Sequence, residues 1–342
     1  MKLKRIGIDL AKHVFQVHGV DGNEQVMIRK AFRRGQLKAF LHKLEPTLIA
    51  MEACGSAHQW ARELTAMGHT VKLIPPQFVK PYVKAHKNDA VDAEAICEAV
   101  SRPGMRFVTI KTVDQQVILS AHRIRSRVVK ARTALVNEVR GLLAEFGVVI
   151  DRLGVSAVRR AIPRLLDSTE SDLPVPLREL LRALYDELVS LDVRLATLNQ
   201  TLDGHAEQDG RVKRLQQIEG VGPVTASAIV ATIGDGKQFK TGRDFAAFLG
   251  MVPNQHSSGG KARLGSISKR GDKYLRTLLI HGARSCIKMI ENQKTRHGEW
   301  VKNLLGRRNK NIATVALANK HARIIWAMLT KGTAYGELAT PA

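Results

Sequence analysis

The sequence predicts an α/β domain followed by a long and mostly helical remainder, and two observations support this fold class. In the first hundred residues, short runs of β-branched and other apolar residues alternate with segments of helical periodicity. From about residue 115, apolar residues recur at spacings of three and four, which is the helical period. We therefore divide the chain into an α/β domain at 1–112, a helical coiled-coil region at 113–208 and a mostly helical C-terminal domain at 209–342.

The first domain is predicted to contain three strands and then alternating helices and strands. An Asp-Gly pair at Asp21 separates the second strand from the third and is typical of a tight hairpin turn. Pro75 and Pro76 end the last strand, because proline cannot donate a ladder hydrogen bond. The predicted strands are 3–10, 13–20, 24–29, 47–51 and 71–74, and the predicted helices are 36–43, 56–67 and 89–100. Three antiparallel strands followed by this alternation are the order expected of an RNase H-like fold.

Four acids stand at informative places in this order. Asp9 ends the first strand and Glu52 follows the strand at 47–51, so both are expected at strand ends of one sheet. Asp89 and Asp92 are three apart at the start of a helical pattern and share one face. Converging carboxylates repel each other unless a cation lies between them. We interpret the four as a site for Mg²⁺, with Mn²⁺ as an alternative ion, although each alone also suits a turn or helix cap.

Two long helices are predicted between residues 113 and 208, joined by the proline-containing segment 151–176. In the second helix, leucine recurs at alternating spacings of three and four from Leu181 to Leu202, which strongly indicates a coiled coil. A heptad seam does not say whose helix completes it. Two alternatives therefore stay open, an antiparallel hairpin within one chain and an arm that joins subunits.

The charge of the chain indicates a polyanionic partner. Its 54 Lys and Arg against 31 Asp and Glu give a net charge of +23. Residues 255–310 carry 14 basic and 3 acidic residues, a net +11, whereas residues 151–210 carry 7 basic and 11 acidic residues, a net −4. We expect the basic stretch, and not the acidic one, to contact nucleic acid.

Cysteine usage and hydropathy exclude several classes. The three cysteines lie far apart with no C-x-x-C pair, so neither a zinc site nor a disulfide framework is predicted. No apolar run reaches transmembrane length, and the N-terminus lacks the hydrophobic region of a signal peptide. We expect a soluble protein of a reducing cytoplasm with no membrane partner.

The C-terminal domain opens with the pattern I-E-G-V-G at Ile218–Gly222, followed by Pro223 at the start of a helical segment. This pattern is typical of a helix-hairpin-helix. Gly220 and Gly222 would expose backbone N–H groups at a helix N-terminus, where a phosphate binds well. The same letters also occur in a plain turn between two helices.

A serine- and glycine-rich loop, Ser257-Ser258-Gly259-Gly260, follows in the same domain. It is flanked by cations that we expect to bind phosphates: Lys261, Arg263, Lys269, Arg270, Lys273 and Arg276. A serine in such a loop is most often part of a flexible turn. Cations beside it would also suit a nucleophile that attacks a phosphate, because they stabilise the developing negative charge.

With these motifs the chain resembles the DEDD transposases of the insertion-sequence-110 family over nearly its whole length. The family's G-I/V-D-x-x-K is matched by Gly7–Lys12, which adds Lys12 as a nucleic-acid contact, and its last two acids stand in a D-x-x-D-A matched by Asp89–Ala93. The C-terminal motifs are matched in order by Ile218–Gly222, Gly250–Pro253, Ser258–Lys261 and Ile267–Arg276.

The resemblance implies that the first domain is RuvC-like, that Asp9, Glu52, Asp89 and Asp92 hold Mg²⁺, and that Ser258 is the nucleophile. It also implies donor and target DNA, a structured guide RNA (bridge RNA) and a homo-oligomer built as a dimer of dimers, acting at the bacterial nucleoid. Ser257 stands beside Ser258 where the family motif has one serine, so Ser257 remains the alternative nucleophile.

Three functions remain to be compared. The leading hypothesis is an RNA-guided DNA transposase that cuts and rejoins strands by metal-assisted serine attack. The alternative is a metal-only, structure-specific endonuclease resembling a Holliday-junction resolvase, in which water is the nucleophile. A non-enzymatic nucleic-acid scaffold is third, and the intact set of four acids argues against it.

Overall fold

The computed structural model describes residues 2–83, 89–168, 173–257 and 263–336. Its chain forms two compact units, residues 1–112 and 113–342. In the described ranges the first unit is mixed α/β, and the second is mostly helical with one short two-stranded sheet. The fold class predicted from the sequence agrees at this level. The division into three domains stays a prediction.

The described part of the first unit contains one five-stranded sheet. Its strands are β1 (Arg5–Asp9), β2 (Val14–Val20), β3 (Val26–Arg33), β4 (Leu48–Glu52) and β5 (Thr70–Ile74). The order is β3-β2-β1-β4-β5; the first three strands are antiparallel to each other, and β1, β4 and β5 run parallel. The helices are α1 (Arg34–His42), α2 (Ala57–Ala66), α3 (Pro76–Val79) with a 3₁₀ turn at Lys80–Tyr82, and α4 (Asp89–Ala99).

Local chemistry accounts for the hairpin between β2 and β3. The Asp21 carboxylate accepts hydrogen bonds from the backbone N–H groups of Asn23 and Gln25, both at 2.9 Å, which fixes the predicted turn. Strand β3 continues to Arg33, beyond the predicted end of this strand, because Phe32 pairs with β2 and stacks on Phe40 of α1 with ring centroids 4.9 Å apart.

Both faces of the sheet are covered. On one face the fully buried Ile6 and Ile8 of β1 pack with Trp60 and Leu64 of α2. On the other face α4 packs on the sheet, with Ile96 in a cluster that includes Ala50 of β4. The alternation of side chains along each strand therefore separates an α2 face from an α4 face.

The second unit is built from helices that are long at first and shorter afterwards. They are α5 (Val113–Glu145), α6 (Val155–Asp167), α7 (Val175–Gln208), α8 (Gly210–Leu215), α9 (Pro223–Ile233), α10 (Gly242–Phe248), α11 (Lys273–Glu291), α12 (Arg296–Arg307) and α13 (Lys310–Lys331). Two short strands, β6 (Pro253–Gln255) and β7 (Leu264–Ile267), pair antiparallel between α10 and α11. In the described residues, no helix has the length and apolar character that crossing a bilayer requires.

The predicted heptad seam is completed by a helix of the same chain. Leu181 and Leu188 of α7 are buried with Val139 of α5, whereas Leu202 is buried with Ile118 near the other end of α5. The two long helices are therefore antiparallel, which is the intrachain alternative. The oligomeric state of the protein stays a prediction.

The proline-containing segment 151–176, which joins these two helices, contains α6. Its Val158 and Ile162 are buried in the same cluster as Leu188, although Pro163 lies inside the helix. Pro163 is the ninth of the thirteen residues of α6, so it removes an intrahelical hydrogen bond, and burial of the apolar face offsets that loss.

We expect Leu188→Ala to lower the free energy of unfolding by about 2–5 kcal/mol, because it leaves a cavity in the helical seam. Leu180→Ala makes the same chemical change on α7 at a side chain that is 62% exposed, against 1% for Leu188. That control should cost well under about 1 kcal/mol. Urea unfolding of the two variants measures the difference, and equal losses would contradict the intrachain seam.

Candidate active site

The first acid is placed by the pairing of two parallel strands. Ile8 of β1 lies opposite Met51 of β4, and both side chains are buried on the α2 face. The next residues along the strands, Asp9 and Glu52, therefore lie side by side at the carboxyl edge of the sheet, on the α4 face. This agrees with the expectation that both acids stand at strand ends.

The other two acids come from the first turn of α4. Carboxylate oxygens of Asp9, Asp89 and Asp92 all lie within 4.8 Å of one another. In the described residues, the group that meets this distance contains these three aspartates and not Glu52. Glu52 nevertheless interacts with Asp92, since Asp92 contributes, after burial, to raising the pKa of the Glu52 carboxyl.

A glycine allows this convergence. An added Cβ on Gly7 of β1 would lie 2.2 Å from the carbonyl oxygen of Ala93 and 2.5 Å from the backbone nitrogen of Cys97, both in α4. The absence of a side chain at Gly7 therefore lets the helix backbone touch the strand. The pattern G-I-D at Gly7–Asp9 contains this packing requirement as well as the acid, and sequence reasoning had assigned no role to the glycine itself.

The cluster is electrostatically unfavourable by itself. Burial, followed by the charges of Asp92, Asp89 and Glu52, raises the pKa of Asp9 to about 6. Lys80, which sequence reasoning missed, is close enough to lower the pKa of Glu52. A donor set made only of carboxylate oxygens suits a hard divalent cation, and such a cation would remove the repulsion. The residues present therefore fit a divalent metal site.

The glycine turn of the second unit has two different faces. Gly220 has φ = +81°, and an added Cβ would lie 2.4 Å from the carbonyl oxygen of Gly282 in α11, so this glycine is required by packing. Gly222 is the N-cap of α9, is exposed, and has no atom within 4 Å of an added Cβ among the described residues. The open face of the turn is therefore at Gly222.

The serine loop is described only at its flanks. Ser258 and Lys261 lie outside the described residues. The Ser257 hydroxyl accepts a hydrogen bond of 2.9 Å from the side chain of Gln255, and the backbone N–H of His256 donates to the carbonyl of Arg263 at 2.9 Å. The hydroxyl of Ser257 is thus engaged with a neighbouring side chain.

The flanking cations differ in exposure. Arg263, Lys269, Arg270 and Lys273 are exposed. Arg276 is buried, and its guanidinium donates a 2.8 Å hydrogen bond to the carbonyl of Leu249. Arg276 therefore has a contact inside the protein, and a nucleic-acid role for it stays a prediction, as it does for the exposed Lys12.

The backbone at Lys269–Gly271 is held tightly. A Cβ added at Gly250 would lie 2.1 Å from the carbonyl oxygen of Arg270. A Cβ added at Gly271 would lie 1.8 Å from the carbonyl oxygen of Phe248. Two glycines thus let this segment pack directly on the end of α10. Asp272 then caps α11 by accepting a hydrogen bond from the N–H of Leu275.

Comparison with known proteins agrees with this arrangement. Residues 212–298 match a model described as "Transposase IS116/IS110/IS902 family", and residues 6–147 match a transposase model of the IS110 DEDD type. A probable family 20 transposase of Pseudomonas aeruginosa is 56% identical, covering 98% of this chain and 99% of that protein. The chain belongs to the IS116/IS110/IS902 transposase family.

Relatives from other bacteria match over similar lengths. The transposase for insertion sequence element IS1111A of Coxiella burnetii is 44% identical over 97% of this chain and 91% of its own length. The transposase for insertion sequence element IS1328 of Yersinia enterocolitica is 43% identical over 97% of this chain and 98% of its own length. Members of this family are insertion-sequence transposases and therefore DNA-processing enzymes. The DEDD name of the matched model suggests a divalent metal, and the acidic cluster is compatible with one.

We expect Gly7→Ala to separate α4 from β1, because the new methyl group would overlap the helix backbone. The free energy of unfolding should fall by about 1–3 kcal/mol, and the rise in melting temperature caused by Mg²⁺ or Mn²⁺ should shrink. Gly35→Ala is the matched control, since it adds a methyl group at the start of α1 with no described atom within 4 Å. A wild-type metal response in Gly7→Ala would show that this contact does not position the acids.

Proposed function

We propose that this family member cuts and rejoins DNA by phosphoryl transfer, with Asp9, Glu52, Asp89 and Asp92 holding Mg²⁺ or Mn²⁺ and Ser258 acting as the nucleophile. The observation that carries the proposal is the approach of three aspartate carboxylates to within 4.8 Å in a chain of a transposase family. Close carboxylates without a cation are costly, so their convergence favours a metal-dependent reaction.

The proposal includes the fold and the turn. Strand order β3-β2-β1-β4-β5, with three antiparallel strands and then parallel ones, supports an RNase H-like, RuvC-like assignment of the first unit. Two helices, α8 and α9, flank the glycine turn at Gly220–Gly222, which supports a helix-hairpin-helix in the second unit. The exposed backbone at Gly222 would be its phosphate contact.

In the proposed reaction each group of the chain has a separate task. The four acids bind and orient the cation, which when bound supplies Lewis-acid polarisation of a phosphate oxygen. The Ser258 hydroxyl attacks phosphorus, so that a serine–phosphate bond forms, the bond to the 3′ oxygen breaks, and the leaving oxygen takes a proton. Attack by a second 3′ hydroxyl reverses these steps and rejoins the strand. Exposed Arg263, Lys269, Arg270 and Lys273, with Lys261, would neutralise the neighbouring phosphates.

A second candidate function is a metal-only, structure-specific endonuclease resembling a Holliday-junction resolvase. It is favoured by one observation: the three aspartates approach each other using elements of the first unit alone. In that case water is the nucleophile and the second unit only binds DNA.

The resemblance extends the proposal to partners. A net charge of +23 supports extensive contact with polyanions, which we propose to be donor and target DNA and a structured guide RNA. We further propose a homo-oligomer, a dimer of dimers, that acts on the bacterial chromosome in the nucleoid.

We expect Asp9→Asn to reduce Mg²⁺-dependent strand cleavage by about 100-fold or more, since it removes one anion that would hold the cation. Without metal, the melting temperature should hold or rise slightly, because the burial of the charge and the repulsion by its neighbours, which raise the pKa of Asp9, are both relieved. Adding Mg²⁺ should then stabilise the wild type more than the variant. Glu45→Gln removes an exposed acid away from the cluster and should behave as wild type. Full cleavage by Asp9→Asn would refute the metal site.

We expect Ser258→Ala to abolish both recombination and the covalent protein–DNA adduct that is trapped by denaturation during the reaction. Ser257→Ala is the matched control, and it should retain the adduct with reduced activity, because the Ser257 hydroxyl is engaged with the Gln255 side chain. Peptide mapping of the adduct identifies the modified serine. Cleavage by Ser258→Ala at the wild-type rate would favour the water-using nuclease, and a DNA-linked Ser257 would reassign the nucleophile.

A further inference from the structure

A long segment of α5 carries basic residues and no acid. Between Asp114 and Glu138 the helix carries no acid, and it carries five Lys and Arg residues: Arg123, Arg125, Arg127, Lys130 and Arg132. This part of α5 lies outside the basic stretch at 255–310. Ordinary soluble surfaces intersperse both signs of charge, so a run of 23 consecutive residues without an acid, within a helix of 33, needs another explanation.

Two of these cations are used inside the protein. The Arg125 guanidinium donates a 2.7 Å hydrogen bond to the side-chain oxygen of Asn199, and Arg132 forms an ion pair of 2.8 Å with Asp192, both on α7. They hold the two antiparallel helices together across the seam. Their charge is therefore accounted for by the fold.

The other three cations form an exposed stripe. Arg123, Arg127 and Lys130 are exposed, and within the ranges that the structure describes none of them forms an ion pair or a hydrogen bond through its side chain. Spacings of four and three place them on one face of the helix, turned away from the α7 seam. At 1.5 Å per residue they extend about 10 Å along the axis, which matches about three phosphate steps of one DNA strand.

The stripe begins beside elements that carry the predicted phosphate contacts. His122, the residue before Arg123, is buried, and its ring nitrogens lie 3.1 Å from the hydroxyls of Ser227 in α9 and Tyr274 in α11. The first turns of α9 and α11 therefore meet α5 at the level where the stripe starts. Gly222 precedes α9, and Lys273 begins α11. One continuous basic surface can thus run from the glycine turn and the start of α11 along α5.

The partner helix α7 lacks this property, because acids alternate with its basic residues. Exposed arginines on α6 and α7, such as Arg160, Arg182 and Arg194, lie in the stretch at 151–210 whose net charge is −4. Acids near a phosphate backbone oppose binding, whereas an uninterrupted row of cations favours it. Charge complementarity to a polyanion therefore distinguishes α5 from its partner helix.

We propose that Arg123, Arg127 and Lys130 bind the phosphate backbone of double-stranded DNA that also contacts the start of α11, without reading its sequence. The proposal rests on the family's DNA substrate and needs neither the metal nor Ser258. It extends the DNA-binding surface of the protein from the basic C-terminal segments onto α5, in the helical coiled-coil region.

The test compares two full-length variants with equal loss of charge. The first is Arg123→Gln with Arg127→Gln and Lys130→Gln; the control is Arg160→Gln with Arg182→Gln and Arg194→Gln. Binding to a DNA duplex is measured over a range of salt concentrations in EDTA, so that neither metal binding nor cleavage affects the result. Melting temperatures of both variants establish that each is folded.

We expect the stripe variant to lose about 2–3 units of the log–log salt slope, since each phosphate contact contributes about 0.9, and the control to keep the wild-type slope. An unchanged slope in the stripe variant, or equal losses in both variants, would overturn the proposal. A structured RNA is tested in parallel: a loss confined to RNA would also overturn it, because the surface would then serve a different partner. Failure of the metal or serine proposal would leave this binding result unchanged.

Discussion

The contact between Gly7 of β1 and the backbone of α4 is the constraint on which the candidate site depends. With no Cβ at Gly7, the helix can lie against the strand, and the first turn of α4 brings Asp89 and Asp92 to Asp9. A second bond holds the same helix, since the buried Arg5 guanidinium donates to the carbonyl of Cys97 at 2.9 Å and also pairs with Glu24. Strand β1 thus anchors α4 on the face that carries the acids.

The convergence of the acids lowers the stability of the folded chain while it forms a charged site. Burial and three neighbouring acids raise the pKa of Asp9 to about 6, so the folded chain holds its carboxylates together against their repulsion. Tight packing elsewhere in the unit offsets that cost, because Ile6, Ile8 and Trp60 are almost fully buried on the other face of the sheet. A divalent cation would turn the unfavourable cluster into a coordinating one, which is the physical basis of the proposed metal dependence.

Glycines also allow close backbone contacts that fix the loops of the second unit. Gly220 approaches Gly282, and Gly250 and Gly271 let two loop segments touch through their backbones. Loops fixed in this way present cations and N–H groups in defined positions, which lowers the conformational entropy lost when a phosphate binds. The buried His122, whose pKa is lowered to about 4 mainly by burial, links the long helix α5 to the starts of α9 and α11. Helix α5 and the basic loops therefore belong to one packed unit.

The sequence by itself determined the elements whose signal is local. Apolar periodicity predicted the strands and long helices, and the Asp-Gly pair at Asp21 predicted the hairpin turn. It also predicted that Asp9 and Glu52 stand at strand ends of one sheet, and its motifs led to the family. Tertiary structure decided what depends on distant partners. Which helix completes the heptad seam, why Gly7 is a glycine, how Pro163 is tolerated in α6 and why Arg276 is buried all follow from contacts between segments far apart in the chain. A periodicity records which face of an element is apolar, but it does not record which surface will cover that face, because the covering surface is chosen by the packing of the whole unit.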